Sequence, residues 1–203
     1  MSSLNGLSGV GSPQGRLRWK RFAIILVPCA IVAVILIGLT AQGAIGASIS
    51  VSGQAYEVTA NQLKGTGFEQ FGSTVKDAKG NQHPVAVSGI RSATLSNLCQ
   101  AVTVGGISLI LRAGSGNNPV SASNLIVDAD QLSGNATFHN IVIGQDAGTL
   151  NAVPGTAGSP GGFGEQASGI TINKLRQHTW LTTAGTFTLP GLHVSVSRGG
   201  GSC

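Results

Sequence analysis

The chain of 203 residues is 41% hydrophobic but only 4% aromatic, and it carries a formal net charge of +5. Four of its 12 basic residues cluster before residue 22, which leaves a net charge of about +1 from residue 44 onward, where all 7 acidic residues lie. The positive charge therefore belongs to the start of the chain. This distribution excludes a basic nucleic-acid-binding surface on the remainder.

An apolar segment at residues 22–39 (FAIILVPCAIVAVILIGL) follows the basic cluster and contains no charged residue. A helix of this length can cross a hydrocarbon core of about 30 Å. The preceding basic residues predict that the N-terminus stays in the cytoplasm. We therefore expect a cytoplasmic tail at 1–21, a transmembrane helix or signal segment at 22–43, and an extracytoplasmic domain at 44–203. This arrangement predicts a single-pass protein of the cell membrane.

Cleavage of the same segment is the alternative. Small residues at 41–46 follow the apolar run, as they do at signal-peptide cleavage sites, although the run is longer than a usual signal core. Cleavage there would release the domain as a secreted protein.

Strand patterns dominate the rest of the chain. Residues 48–52 (SISVS) alternate polar and apolar side chains, and Tyr56 and Val58 continue this period of two. Residues 107–111 (ISLIL) are the most continuously apolar stretch of the domain and indicate a central strand, whereas 153–164 (VPGTAGSPGGFG) predicts a mobile loop outside the sheet. No segment shows a sustained helical period. We predict an all-β domain with an antiparallel curved sheet or a sandwich; a weak recurrence of Thr-apolar-x-x-apolar makes a parallel β-solenoid the alternative.

Cys99 and Cys203 are the only cysteines that follow the apolar segment. Outside the cytosol such a pair normally forms a disulfide. Closing this loop of about 104 residues would contribute roughly 4–5 kcal/mol in the loop-entropy model. Two free thiols or an intermolecular bridge are the alternatives.

The sequence holds few candidates for chemistry. It contains no Gly-x-Ser-x-Gly nucleophile elbow and no pair of histidines or cysteines at zinc-ligand spacing. Asp128 and Asp130 would share one face of a regular strand, which would suit Ca²⁺ or acid–base chemistry, but an exposed pair without function is the alternative. We therefore predict no catalytic residues, no cofactor and no metal. Four histidines stand outside any catalytic pattern: His83, His139, His178 and His193.

Several short blocks, in order along nearly the whole chain, resemble a family of exported or single-pass actinobacterial proteins. The family has no established function, although some members carry the label cholesterol esterase. The resemblance implies a cell-envelope location and supplies no catalytic residues. The blocks are residues 19–23 (WKRFA), 51–54 (VSGQ), 65–68 (GTGF), 82–87 (QHPVAV), 97–100 (NLCQ) and 182–187 (TTAGTF).

Three functions follow as hypotheses. The first is a non-catalytic envelope protein, anchored in the membrane through residues 22–39, whose β-domain acts in structure or interaction. The second is a lipid-handling module, in which residues 125–143 (LIVDADQLSGNATFHNIVI) would line an apolar groove. The third is an esterase, which the absence of a nucleophile elbow disfavours. The expected partners are the membrane and another envelope protein or a lipid, with a homo-oligomer as a further alternative and no nucleic acid.

Overall fold

Nine β-strands and one short 3-10 helix make up residues 52–203, which are the residues that the computed structural model describes. They fall within one structural unit. The predicted tail at 1–21 and the predicted membrane segment at 22–43 lie outside the described residues. Within 52–203, no helix is both long and apolar enough to cross a membrane. The strands are β1 (Tyr56–Lys76), β2 (Gln82–Ser96), β3 (Leu98–Val104), β4 (Ile107–Ala113), β5 (Val120–His139), β6 (Val142–Asp146), β7 (Phe163–Thr183), β8 (Thr186–Thr188) and β9 (His193–Arg198), and the 3-10 helix covers Ala147–Thr149.

The four longest strands form a closed ring. β1 pairs with β2, β2 with β5, β5 with β7, and β7 with β1 again, and every pairing is antiparallel. All nine strands belong to one sheet, whose curvature closes this ring. The predicted all-β class and the antiparallel curved sheet are therefore confirmed for the described residues. The β-solenoid alternative is wrong, because a solenoid joins its coils through parallel pairs.

The main hydrophobic core includes residues of all four ring strands and is largely aliphatic, as the low aromatic content requires. Leu98 and Leu175 are each 1% exposed, and the rings of Phe68 and Phe138 lie 5.3 Å apart. A cavity of about 70 Å³ remains among these side chains. Pockets that hold ligands of drug size are typically about 300–1,000 Å³. The interior of the ring is thus a packed core.

Three shorter strands, β3, β4 and β9, extend the sheet beyond the ring; we call them the side sheet. β3 pairs with the start of β1, β4 pairs with β3, and β9 pairs with β4. The β3–β4 hairpin turns at Gly105 and Gly106, whose φ angles of +59° and +78° suit a tight two-residue turn. Residues 107–111 fall in β4, as part of the strand predicted to be central, but among residues 52–203 only one face of β4 is covered. Alternate residues such as Ile107 therefore remain exposed.

The Pro/Gly-rich residues 153–162 lie outside the sheet, as predicted, while Phe163 already begins β7. The segment is not loosely attached, which argues against the predicted mobility. Val153 is 1% exposed, and Gly158 N donates to the Ala147 carbonyl at 2.9 Å. Asp146 Oδ1 accepts hydrogen bonds from the backbone N–H groups of Gly148 and Gly161. These bonds hold residues 147–162 against the outer face of the ring. We call residues 147–162 the strap.

Candidate functional site

A double irregularity in the β5–β7 pairing builds a polar cluster on the surface of the domain. Asp128 pairs with Leu181 and Ala129 with Thr179, so Trp180 has no partner in the ladder. The register shifts again before Gln131, so Asp130 is also left out of the ladder. Bulges of this kind turn side chains away from the regular alternation. Here the two residues that the bulges leave unpaired meet each other.

Asp130 connects two side chains of β7. Its Oδ2 accepts a hydrogen bond from Trp180 Nε1 at 3.0 Å, and His178 Nδ1 lies 2.6 Å from its Oδ1. Partial burial alone would raise the pKa of Asp130, but the hydrogen bonds from His178 and Trp180 outweigh it and leave the pKa below its ordinary value. The Asp130 carboxylate therefore stays ionised and is hydrogen-bonded to one nitrogen of the His178 ring.

A second histidine completes the cluster from the β1–β2 hairpin. The ring of His83 stacks on Trp180 with centroids 3.8 Å apart, and its Nε2 lies 3.4 Å from Asp77 Oδ2. Asp77 also accepts hydrogen bonds from the Asn81 side chain and from backbone N–H groups of the turn, and these lower the pKa of Asp77 to about 2. We call Asp77, His83, Asp130, His178 and Trp180 the bulge cluster.

The bulge cluster is an exposed hydrogen-bonded network without a nucleophile. The His178 side chain is 46% exposed and that of His83 is 27% exposed. Across residues 52–203, none of the side-chain hydrogen bonds of the cluster involves a serine, threonine or cysteine. Nucleophilic catalysis requires such a group within hydrogen-bond reach of the base. In the same range no three His, Cys, Asp or Glu side chains are arranged to hold a metal ion.

A buried carboxyl lies beneath the strap. Glu69 on β1 is 0% exposed, and its Oε2 accepts a hydrogen bond from Val153 N at 2.9 Å. Its Oε1 has no partner among the described residues, and neither does Thr156 Oγ1 of the strap. Burial raises the pKa of Glu69, and the hydrogen bonds from the strap oppose this rise only in part.

Gly89 lies directly opposite Glu69 in the register of β1 and β2 and makes room for this carboxyl. A Cβ atom at position 89 would lie 3.3 Å from Glu69 Cγ and from Val153 Cγ2. A side chain at position 89 would therefore require Glu69 or Val153 to shift slightly.

A sequence model described as a family of unknown function, DUF6230, matches residues 52–203. The chain belongs to this family. The match covers the described β-domain from end to end, and this confirms the predicted membership of a family without an established function. No curated protein and no solved structure matches the chain.

Within the DUF6230 domain, the predicted disulfide pair is brought together. Cys99 on β3 and the C-terminal Cys203 lie at bonding distance, with their Cα atoms 5.7 Å apart. The link fastens the C-terminal residues over one face of the side sheet, where Gly201 N donates to Ser108 Oγ at 2.7 Å.

Asp128 and Asp130 of the DUF6230 domain do not form a metal site. Asp128 is 9% exposed and its pKa is raised by burial, whereas Asp130 is exposed and its pKa is lowered. The bulge between them gives the two carboxyls different surroundings, so the alternation expected of a regular strand does not apply.

Two of the four histidines take part in the bulge cluster. His139 ends β5 and His193 begins β9, away from Trp180. Sequence reasoning treated all four alike because a histidine carries no local signal of its partners. It also missed Glu69, for which one signal exists, namely a lone glutamate in a run of strand residues (GTGFEQFGS) with few other charges.

Proposed function

We propose that this DUF6230 protein is a non-catalytic component of an actinobacterial cell envelope, anchored by residues 22–39 and acting through its β-domain as an interaction module. The observation that carries the proposal is that, among residues 52–203, no hydroxyl or thiol is hydrogen-bonded to either histidine of the bulge cluster. Each aspartate holds one imidazole nitrogen, and the described residues supply no hydrogen-bonded nucleophile to the other nitrogen. Trp180 and two partly exposed imidazoles then present a surface for binding.

Neither alternative function gains a specific observation. A lipid-handling module needs a groove for an acyl chain, and the internal cavity of about 70 Å³ is several-fold too small. An esterase needs a nucleophile beside the Asp130–His178 pair, and the described residues bonded to this pair do not include one. The cholesterol esterase label of the resembling family therefore has no counterpart in the bulge cluster.

Topology is tested on the full chain with an N-terminal tag, expressed in an actinobacterial host. The proposal expects retention in the membrane after alkaline extraction, digestion of the β-domain by protease added to protoplasts, and protection of the tag. Recovery of the β-domain in the cytosol would overturn the proposal.

Catalysis is tested with purified chain and short acyl esters. The native chain and the His178→Ala variant are expected to hydrolyse them equally slowly, at the rate of buffer with an inert protein. An ester hydrolysis that the native chain shows and the His178→Ala variant loses would overturn the non-catalytic assignment.

A further inference from the structure

The two faces of the side sheet differ in what covers them. One face carries Ser108 and Ile110, which are 0% and 9% exposed, beneath the C-terminal residues that Cys203 fastens. Among residues 52–203, no segment covers the opposite face in this way. Val104, Ile107 and Leu109 are 53%, 52% and 44% exposed there.

The strand register shows that these exposed side chains share one face. Val102 lies opposite Leu109, and Leu109 lies opposite Val196, so the three form a row across the side sheet. Residues directly opposite in antiparallel strands lie on the same face. We call the whole set the apolar face: Val102, Val104, Ile107, Leu109, Leu111, Val194 and Val196.

The apolar face borders the point at which the described chain begins. A groove of about 270 Å³ is lined by Leu109 and Leu111 on one side and by Ser52 and Gln54 on the other. Residues 40–51 separate this groove from the predicted membrane segment. Even fully extended, that connection spans only on the order of 40 Å. The apolar face is therefore tethered close to the bilayer that residues 22–39 are predicted to cross.

Charge on the side sheet matches a lipid surface better than a typical protein partner. β3, β4 and β9 contain no acidic residue, and of their two arginines Arg198 lies on the apolar face, whereas Arg112, opposite Cys99, lies on the other face. Arg198 lies opposite Ile107 at the end of the apolar face. Apolar side chains rimmed by a cation suit the boundary between acyl chains and anionic headgroups.

We propose that the apolar face rests on the outer leaflet of the membrane that anchors the chain, so that the DUF6230 domain lies against anionic lipid. This inference rests on the proposed membrane anchor and adds the surface that meets the lipid. It also explains why an apolar patch persists on a domain whose opposite side-sheet face is covered by its own C-terminus.

The test places a fluorescent label on the full chain in vesicles of phosphatidylcholine and phosphatidylglycerol. Val196→Cys in a Cys29→Ala background offers one reactive thiol, because Cys99 and Cys203 bond to each other. An environment-sensitive nitrobenzoxadiazole label at this position is expected to lose more than about half of its emission when the lipids carry spin labels, since an interfacial apolar face enters the acyl boundary.

The matched control is Ile143→Cys on β6, at the other end of the strand order. Its exposure of 63% is close to the 67% of Val196, but it lies outside the apolar face. We expect its label to be quenched by aqueous iodide and not by spin-labelled lipid. Val104→Cys, on the apolar face, is expected to behave as Val196→Cys does.

Two outcomes would overturn the inference while leaving the anchor intact. In one, labels at 196 and 104 are quenched by iodide as strongly as the label at 143. In the other, they are shielded from both quenchers until the protein is diluted among vesicles, which would show that a second copy covers the face. Release of the whole chain by alkaline extraction would instead overturn the proposed anchor, and the inference with it.

Discussion

Replacing Glu69 with glutamine isolates the energetic effect of one buried carboxyl. Glutamine keeps the volume and keeps an oxygen that can accept the hydrogen bond from Val153 N. It removes the titration and replaces the unpartnered Oε1 with an NH₂ group, whose effect on stability does not depend on pH. Because burial raises the pKa of Glu69 above the ordinary value of 4.5, the folded chain holds this proton more tightly than the unfolded chain does.

The sign of the pH effect follows directly. The stability that protonated Glu69 contributes is fully present below about pH 4.5 and is lost as the pH rises through the raised pKa of the folded state. Between these two pKa values, ionisation of Glu69 lowers the free energy of unfolding of the native chain by about 1.4 kcal/mol per pH unit. The Glu69→Gln variant does not show this loss. The variant should therefore become more stable relative to the native chain as the pH rises.

The measurement is urea unfolding of the purified full chain, followed by far-UV circular dichroism between about pH 4 and pH 8. Subtracting the two curves cancels the contributions of Asp128 and Glu165, whose pKa values are also raised by burial. Glu57→Gln is the control, because its carboxylate forms an exposed ion pair with Arg176 at 3.2 Å and should contribute only about 0–1 kcal/mol. Equal pH slopes for Glu69→Gln and the native chain would refute this account of the buried carboxyl.

Three further changes test the fold. Gly89→Ala should destabilise the domain by about 1–3 kcal/mol, because the added Cβ would contact Glu69 and the strap. The control is Gly72→Ala, whose Cβ would have nothing within 4 Å and which should change the stability by less than about 1 kcal/mol. The two variants are compared by their midpoints of urea unfolding. Cys203→Ser should lower the free energy of unfolding by about 2–5 kcal/mol and release the C-terminal residues from the side sheet. Faster amide hydrogen exchange on β4 would detect this release. Unchanged exchange would show that the disulfide is dispensable. Trp180→Phe removes the hydrogen bond to the Asp130 carboxylate and should lower the free energy of unfolding by about 1–2 kcal/mol, as measured by thermal unfolding. The secondary structure should remain unchanged.

The all-β class of the domain could be predicted from the local pattern of polar and apolar residues. Alternation at Tyr56 and Val58 marks the start of β1, and the polar residues after Asp77 mark the first hairpin turn. Both signals are local, because a strand shows its covered face every second residue and a turn needs residues that tolerate it. Predicting the Cys99–Cys203 pair required only the count of cysteines after the apolar segment at residues 22–39.

Other features have no local signal. The mostly apolar residues 107–111 predicted a central strand, but which faces of this strand are covered depends on where the C-terminal residues are fastened. Likewise, the Pro/Gly content of 153–162 indicated a loop but could not indicate that Val153 would bond to Glu69, 84 residues earlier in the chain. Such contacts are decided by packing between distant segments.

The sequence alone indicated an all-β domain over residues 44–203 and a candidate disulfide between Cys99 and Cys203, because alternation, turn composition and cysteine count can be read without knowing the fold. Only the tertiary structure decided that the pairing is antiparallel and not that of a solenoid, that the sheet closes into a ring, that Asp130 and Trp180 meet, and that, among residues 52–203, nothing covers one face of the side sheet. The meeting of Asp130 and Trp180 depends on two bulges in the β5–β7 register. Register and closure depend on which strands pair across the whole chain, and no local pattern encodes that choice.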